Sequence, residues 1–145
     1  MRETCRGAGV VFYDRDQRRV LLYRRDNTPG IPFPNYLDIL GGHVEAGETP
    51  EQTVVREIAE ELEDLRSGRP FVLAGHRLFT ISTSAQGVAD YIFCKAADFD
   101  LAEVRLKEGQ ELLWVTEEEA GRTPLAFGYD RVLAEFFQAL RAGAV

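Results

Sequence analysis

Three glutamates, Glu57, Glu60 and Glu61, fall within five residues of the stretch "GGHVEAGETPEQTVVREIAEELEDL" (41–65). If this stretch is helical, they stand at i, i+3 and i+4, with their side chains as neighbours on one face. Like charges so placed destabilise a helix by roughly 0.2–0.5 kcal/mol per pair, so the cluster calls for a counter-charge. Hard divalent cations such as Mg²⁺ take oxygen ligands, typically a few carboxylates together with substrate phosphates. A three-glutamate face has the donors for that chemistry. The plain alternative is a solvated acidic face. Two neighbouring features favour the metal reading. Gly41-Gly42 lets backbone approach whatever lies over the helix, and Arg56, with Glu48 of opposite sign before it, can orient carboxylates by bidentate contact.

The elements that must position these groups follow from local pattern. Thr49-Pro50-Glu51-Gln52 reads as a capping box with proline at the first helical position. Val54, Ile58, Leu62 and Leu65 form the expected buried stripe of the helix. Strand-like runs occupy 7–14, 19–26, 36–40 and 111–115, and 71–82 and 87–96 read as a long antiparallel pair. Residues 27–35 hold three prolines and a glycine and read as a loop. Residues 116–120 look like one helical turn. In "YDRVLAEFFQALR" (129–141), Val132, Leu133, Phe136, Phe137 and Leu140 have the spacing of an amphipathic helix. A mixed sheet with one helix early and one late predicts an α/β/α sandwich, each helix covering one face. The 145 residues suit a single domain spanning 1–145.

Composition limits the partners. A net charge of −7 disfavours a nucleic-acid polymer, whose affinity comes mainly from Lys and Arg. It does not disfavour a small phosphorylated ligand, because a metal supplies positive charge. Cys5 and Cys94 lie outside any CxxC pattern and read as free thiols in a reducing compartment. No run is long and apolar enough to span a bilayer, and the cytoplasm is the expected location. A homodimer is compatible with these features.

The order Gly42, Glu48, Arg56-Glu57-Ile58, Glu60-Glu61 resembles the Nudix box, the signature of the Nudix hydrolases. Two departures are visible: Leu40 stands where the family often has proline, and Glu63-Asp64 replaces the usual glycine turn, so the helix is expected to run on or to end without a left-handed cap. The resemblance implies metal-dependent hydrolysis of a pyrophosphate bond in a nucleoside diphosphate-linked substrate, with Mg²⁺ (or Mn²⁺) as cofactor. Carried over by position, Glu57, Glu60 and Glu61 resemble the metal-binding trio, with Glu57 a candidate base. The Gly42 carbonyl resembles a further ligand, and Glu48 with Arg56 resembles the pair that aims Glu57. Glu108 resembles a further acid of triphosphate-cleaving members, the alternative being an ordinary charged turn. Arg25 matches a basic position used against substrate phosphates, the alternative being a solvated strand end. Asp130 stands where some nucleobase-sanitising relatives recognise the base, flanked by Phe127 and Tyr129, whose faces could hold a purine; the alternative is an N-cap. Marks of the ADP-ribose, dinucleoside polyphosphate, coenzyme A and NADH types are not found. By elimination, the expected substrate is a nucleoside triphosphate, oxidised or otherwise non-standard bases included, cleaved to the monophosphate and pyrophosphate. An ADP-ribose or nucleotide-sugar pyrophosphatase and a non-catalytic nucleotide-binding module are the other readings.

Overall fold

A computed structural model describes residues 4–84 and 87–145, with the side chains of 4–6 left aside. The central strand is β1 (Thr4–Asp14), and the alternation of its side chains builds both layers of the core. Ala8, Val10 and Phe12 point to one face and Val11 and Tyr13 to the other. Strand β2 (Arg19–Arg24) repeats the pattern: Leu21 lies on the first face, Val20 and Leu22 on the second.

β1 is shared along one edge. Its first half pairs antiparallel with β4 (Leu40–His43), Ala8 opposite Gly42, and its end pairs with β2. Its other edge pairs in parallel with β8 (Val88–Ala96), which pairs antiparallel with β7 (Arg77–Thr83). The short β3 (Leu37–Asp38) joins β2, and β10 (Glu111–Thr116) closes that side, giving the order β10-β2-β1-β8-β7. The sheet is mixed, as expected.

Helix α1 (Pro50–Glu61) covers the first face through Val54 and Ile58. Helix α3 (Asp130–Arg141) covers the second through Val132, Leu133, Phe136, Phe137 and Leu140, all buried. Full burial of each such side chain is worth roughly 1.5–3 kcal/mol. The result is the expected α/β/α sandwich. The Thr49 capping box is present: the Gln52 N–H donates to Thr49 Oγ1 (3.1 Å) and the Thr49 N–H to Gln52 Oε1 (2.9 Å). A second box on Thr116 starts α2 (Glu117–Arg122).

Three local expectations need correction. Helix α1 stops at Glu61, and Leu62–Asp64 is a strand, β5, set between β6 (Arg69–Pro70) and β9 (Val104–Leu106). The helix thus does not run on but ends in the second expected way, without a left-handed cap, Leu62 having φ −122° and entering the ladder. Leu62 is therefore buried from a strand, and Leu65 is 48% exposed rather than part of a helical stripe. The run 71–82 is not one strand: the ladder begins at Arg77, after Gly75 at φ +75°. Phe71 and Leu73 are apolar because they pack into the α1-side core. Residues 36–40 divide into β3 and the start of β4.

Candidate active site

The Gly41-Gly42 segment of β4 joins the glutamate face to a cavity. A Cβ on Gly42 would lie 2.2 Å from the Glu57 carboxyl carbon, so only glycine leaves room for that carboxylate. Gly41 has φ +152°, and a Cβ there would strike the Ala8 carbonyl oxygen at 2.2 Å. The Gly41 N–H donates to Glu61 Oε1 (3.1 Å).

Arg56 organises the outer side of the face. Its Nε and Nη2 bind Glu48 in bidentate fashion (2.6 and 3.0 Å), Nη1 reaches Glu57 Oε1 (2.9 Å) and Glu60 Oε2 (3.4 Å), and Nη2 also donates to the His43 carbonyl (3.1 Å). Thr53 Oγ1 donates to Glu48 (2.7 Å). These bonds, Arg56 foremost, push the Glu48 carboxyl down to about 2. Glu45, at 3.7 Å from Arg56, is a peripheral, largely exposed partner.

On the inner side, the charges that act on Glu61 are carboxylates. Glu61 is 4% exposed. Burial first, then the charges of Glu57, Glu108 and Asp38, push its carboxyl up to about 9, with the Gly41 N–H opposing. Burial also raises Glu57 against the pull of Arg56, with Glu60 and Glu108 adding to the rise. Glu108 thus acts on both carboxylates from the loop before β10. Between pH 4.5 and 9 the folded chain holds a proton on Glu61 that the unfolded chain has lost, so stability falls as pH rises through that window. Glu61→Gln keeps the acceptor for Gly41 and removes this dependence. In metal-free protein it is expected to raise the melting temperature by several degrees at pH 8.5 and little at pH 5; equal shifts at both would contradict the burial of an acidic proton.

Among the described residues, no three acidic, histidine or cysteine side chains converge to hold an ion in this arrangement. The donor set nevertheless fits a hard divalent cation: oxygen donors alone, a glycine at 42 that leaves room for the Glu57 carboxylate, and a carboxyl at Glu61 held protonated first by burial and then by surrounding negative charge.

The cavity beside this face has a volume of about 380 Å³. Its floor is Gly7, Gly9, Gly41 and Gly42, and Tyr23, Arg25, Asp38, Asp90, Phe127 and Tyr129 stand in its walls. Arg25 is there, while Arg24 turns to the other face and pairs with Glu111 (2.9 Å). Arg25 Nη1 is paired with the buried Asp38 (2.8 Å) and Nε with the Pro32 carbonyl (2.9 Å), so both groups are engaged within the protein. Asp130 lies elsewhere: it lines a separate depression with Glu117, Ala120 and Phe137 between α2 and α3. Nor is it the N-cap, a position held by Tyr129 without a side-chain bond. Asp38 and Asp90, 4% and 5% exposed, were missed from the sequence. The available signal was a single acid inside each of the apolar runs "YLDIL" and "GVADYIF".

The NUDIX domain family matches residues 3–136, and the chain belongs to the Nudix family. An uncharacterized Nudix hydrolase, orf19 of Rhodococcus erythropolis, is 45% identical over 56 residues, which is 38% of this chain and 30% of that protein. The match therefore spans less than a third of that relative. Among solved structures, a MutT from work on Aliivibrio salmonicida and Vibrio cholerae is 21% identical with a TM-score of 0.70, over 92% of this chain and 96% of that one. The NUDIX domain of Shewanella oneidensis NrtR, complexed with ADP ribose, is 19% identical with a TM-score of 0.65, over 100% and 90%. Likeness at these identities concerns the fold. Among the described residues, no helix is long and apolar enough to cross a membrane.

Proposed function

We propose that the protein is a divalent-metal-dependent pyrophosphohydrolase that cleaves a nucleoside triphosphate, non-standard bases included, to the monophosphate and pyrophosphate. The observation that carries this reading is the glycine pair itself, which takes the Glu57 carboxylate against Gly42, bonds Glu61 Oε1 from the Gly41 N–H (3.1 Å) and lines a cavity of about 380 Å³. Glu57, Glu60, Glu61, Glu108 and the Gly42 carbonyl would hold Mg²⁺ or Mn²⁺. The bound ion would offset phosphate charge and lower the pKa of water.

The chain's own residues do the rest. Glu57 accepts the proton of the attacking water as the new P–O bond forms and the bridging P–O bond breaks, its electron pair leaving with pyrophosphate. Glu48 and Arg56 hold Glu57 at the helix surface, so that it is oriented before substrate arrives. The cavity takes the nucleoside, with Phe127 and Tyr129 offering aromatic faces to the base. The test is a panel of nucleotides, ADP-ribose included, incubated with Mg²⁺ and read by mass. Monophosphate and pyrophosphate from one or more triphosphates are the expected products. Turnover of ADP-ribose alone would transfer the assignment to nucleotide sugars, and binding without turnover would leave a nucleotide-binding module.

A further inference from the structure

Arg25 does more than line the cavity. Its Nη1 binds Asp38 Oδ2 (2.8 Å), and Tyr23 Oη donates to the same oxygen (3.3 Å). Its Nε holds the Pro32 carbonyl (2.9 Å), and its guanidinium lies 5.2 Å from the Phe127 ring centroid. Phe127 in turn meets Phe33 edge to face at 4.8 Å. Phe33, Asn35 and Phe127 all have positive φ, at +50°, +68° and +57°. Asparagine adopts that conformation readily, but a phenylalanine keeps it only where surrounding contacts impose it, and Arg25 supplies contacts to both segments.

The Arg25 main chain, and the 32–35 segment that its side chain holds at Pro32, also reach the loop of Glu108. Gln110 Nε2 donates to the Arg25 carbonyl (2.7 Å) and to Asn35 Oδ1 (2.8 Å). Gly109, at φ +100°, packs so tightly on Tyr23 that a Cβ would lie 2.8 Å from its ring. Glu108 precedes these two residues directly. One connected set of contacts therefore runs from the aromatic wall, through Arg25 and Asp38, to the loop that carries Glu108.

We propose that Arg25 is a positioning residue, acting through Gln110 to tie the nucleoside wall of the cavity to the Glu108 loop. Occupation of the base end then sets the placement of an acid at the reacting end. The kinetic side of this proposal rests on the functional reading above; the structural side does not.

Hydrogen exchange on the full chain, free of metal and nucleotide, is the first arm. Arg25→Lys keeps the charge beside Asp38 but cannot hold Pro32 and stack on Phe127 together. It is expected to raise exchange several-fold in 32–36, 107–110 and 126–129 while α1 and α3 stay unchanged. Gln110→Ala, at an exposed position that leaves the core intact, is expected to raise exchange in 107–110 and 32–36 and serves if Arg25→Lys does not fold. Change confined to one segment, or none, overturns the coupling. The second arm measures kcat and KM for two purine and two pyrimidine triphosphates. Arg25→Lys is expected to lower kcat and shift the ranking of bases several-fold, and Gln110→Ala to lower kcat with KM held. A uniform rise in KM for all four would make Arg25 a direct phosphate ligand and overturn the proposal. If wild type turns over no nucleotide, the functional reading falls and the exchange arm alone decides the coupling.

Discussion

Glu57→Gln is expected to cut turnover by about 10²–10⁴-fold while leaving the protein folded. The amide is nearly isosteric, and its carbonyl oxygen still accepts from Arg56 Nη1, which now reaches the carboxylate at 2.9 Å. The negative charge is removed, however, and with it the basic oxygen and one donor to a cation. Charge repulsion from Glu60 and Glu108 is relieved at the same time. Metal-free protein should therefore melt no lower than wild type. Glu60→Gln is expected to behave in the same way, because its side chain is largely exposed and contributes charge rather than packing. Near-normal turnover in either variant would place the catalytic centre away from this helix.

The second large effect is expected at the glycine pair, where neighbouring residues should fail for different reasons. Gly42→Ala puts a methyl group 2.2 Å from the Glu57 carboxyl carbon. The obstacle is the far end of a flexible side chain, so the fold can accommodate it by moving Glu57 aside. Displacement of a reacting group by about 1 Å can cost on the order of 10²-fold in rate, and a loss of that size with little change in melting temperature is expected. Gly41→Ala instead drives Cβ into the Ala8 carbonyl and the Gly9 Cα of the neighbouring strand, from a positive φ. That obstacle is backbone, and the loss should appear as lower stability. Thermal melts and single-turnover rates on the two variants separate these effects. Equal stability losses in both would remove the special relation between Gly42 and Glu57.

Local physics made much of this molecule legible. The period of Val132, Leu133, Phe136, Phe137 and Leu140 located α3, and the Thr49 box located the start of α1, because each depends on residues within a few positions of one another. The sandwich followed from where these helices fall between strands. The end of α1 was not legible. Leu62–Asp64 is a strand only because Val104–Leu106, some forty residues on, offers it a ladder. The same holds for Phe71 and Leu73, whose side chains fill a core although they lie outside the ladder strands. In the site, the spacing of Glu57, Glu60 and Glu61 and the bracket of Glu48 and Arg56 could be read directly, as all sit on one helix or its approach. Asp38 could not, since its meaning comes from Arg25 and Tyr23 across a strand pair. Asp130 illustrates the converse: position in sequence beside Phe127 and Tyr129 does not fix which cavity a residue lines, and Asp130 lines another depression.

The central claim, a metal-dependent hydrolytic centre on α1, is tested most directly by chelation and reconstitution. Wild-type protein, stripped exhaustively of divalent ions, would be assayed for pyrophosphate release from its best nucleoside triphosphate, then assayed again as Mg²⁺ is restored. Activity at background after chelation, returning with Mg²⁺ in wild type but not in Glu57→Gln, is the expected result. Undiminished turnover after chelation would contradict it.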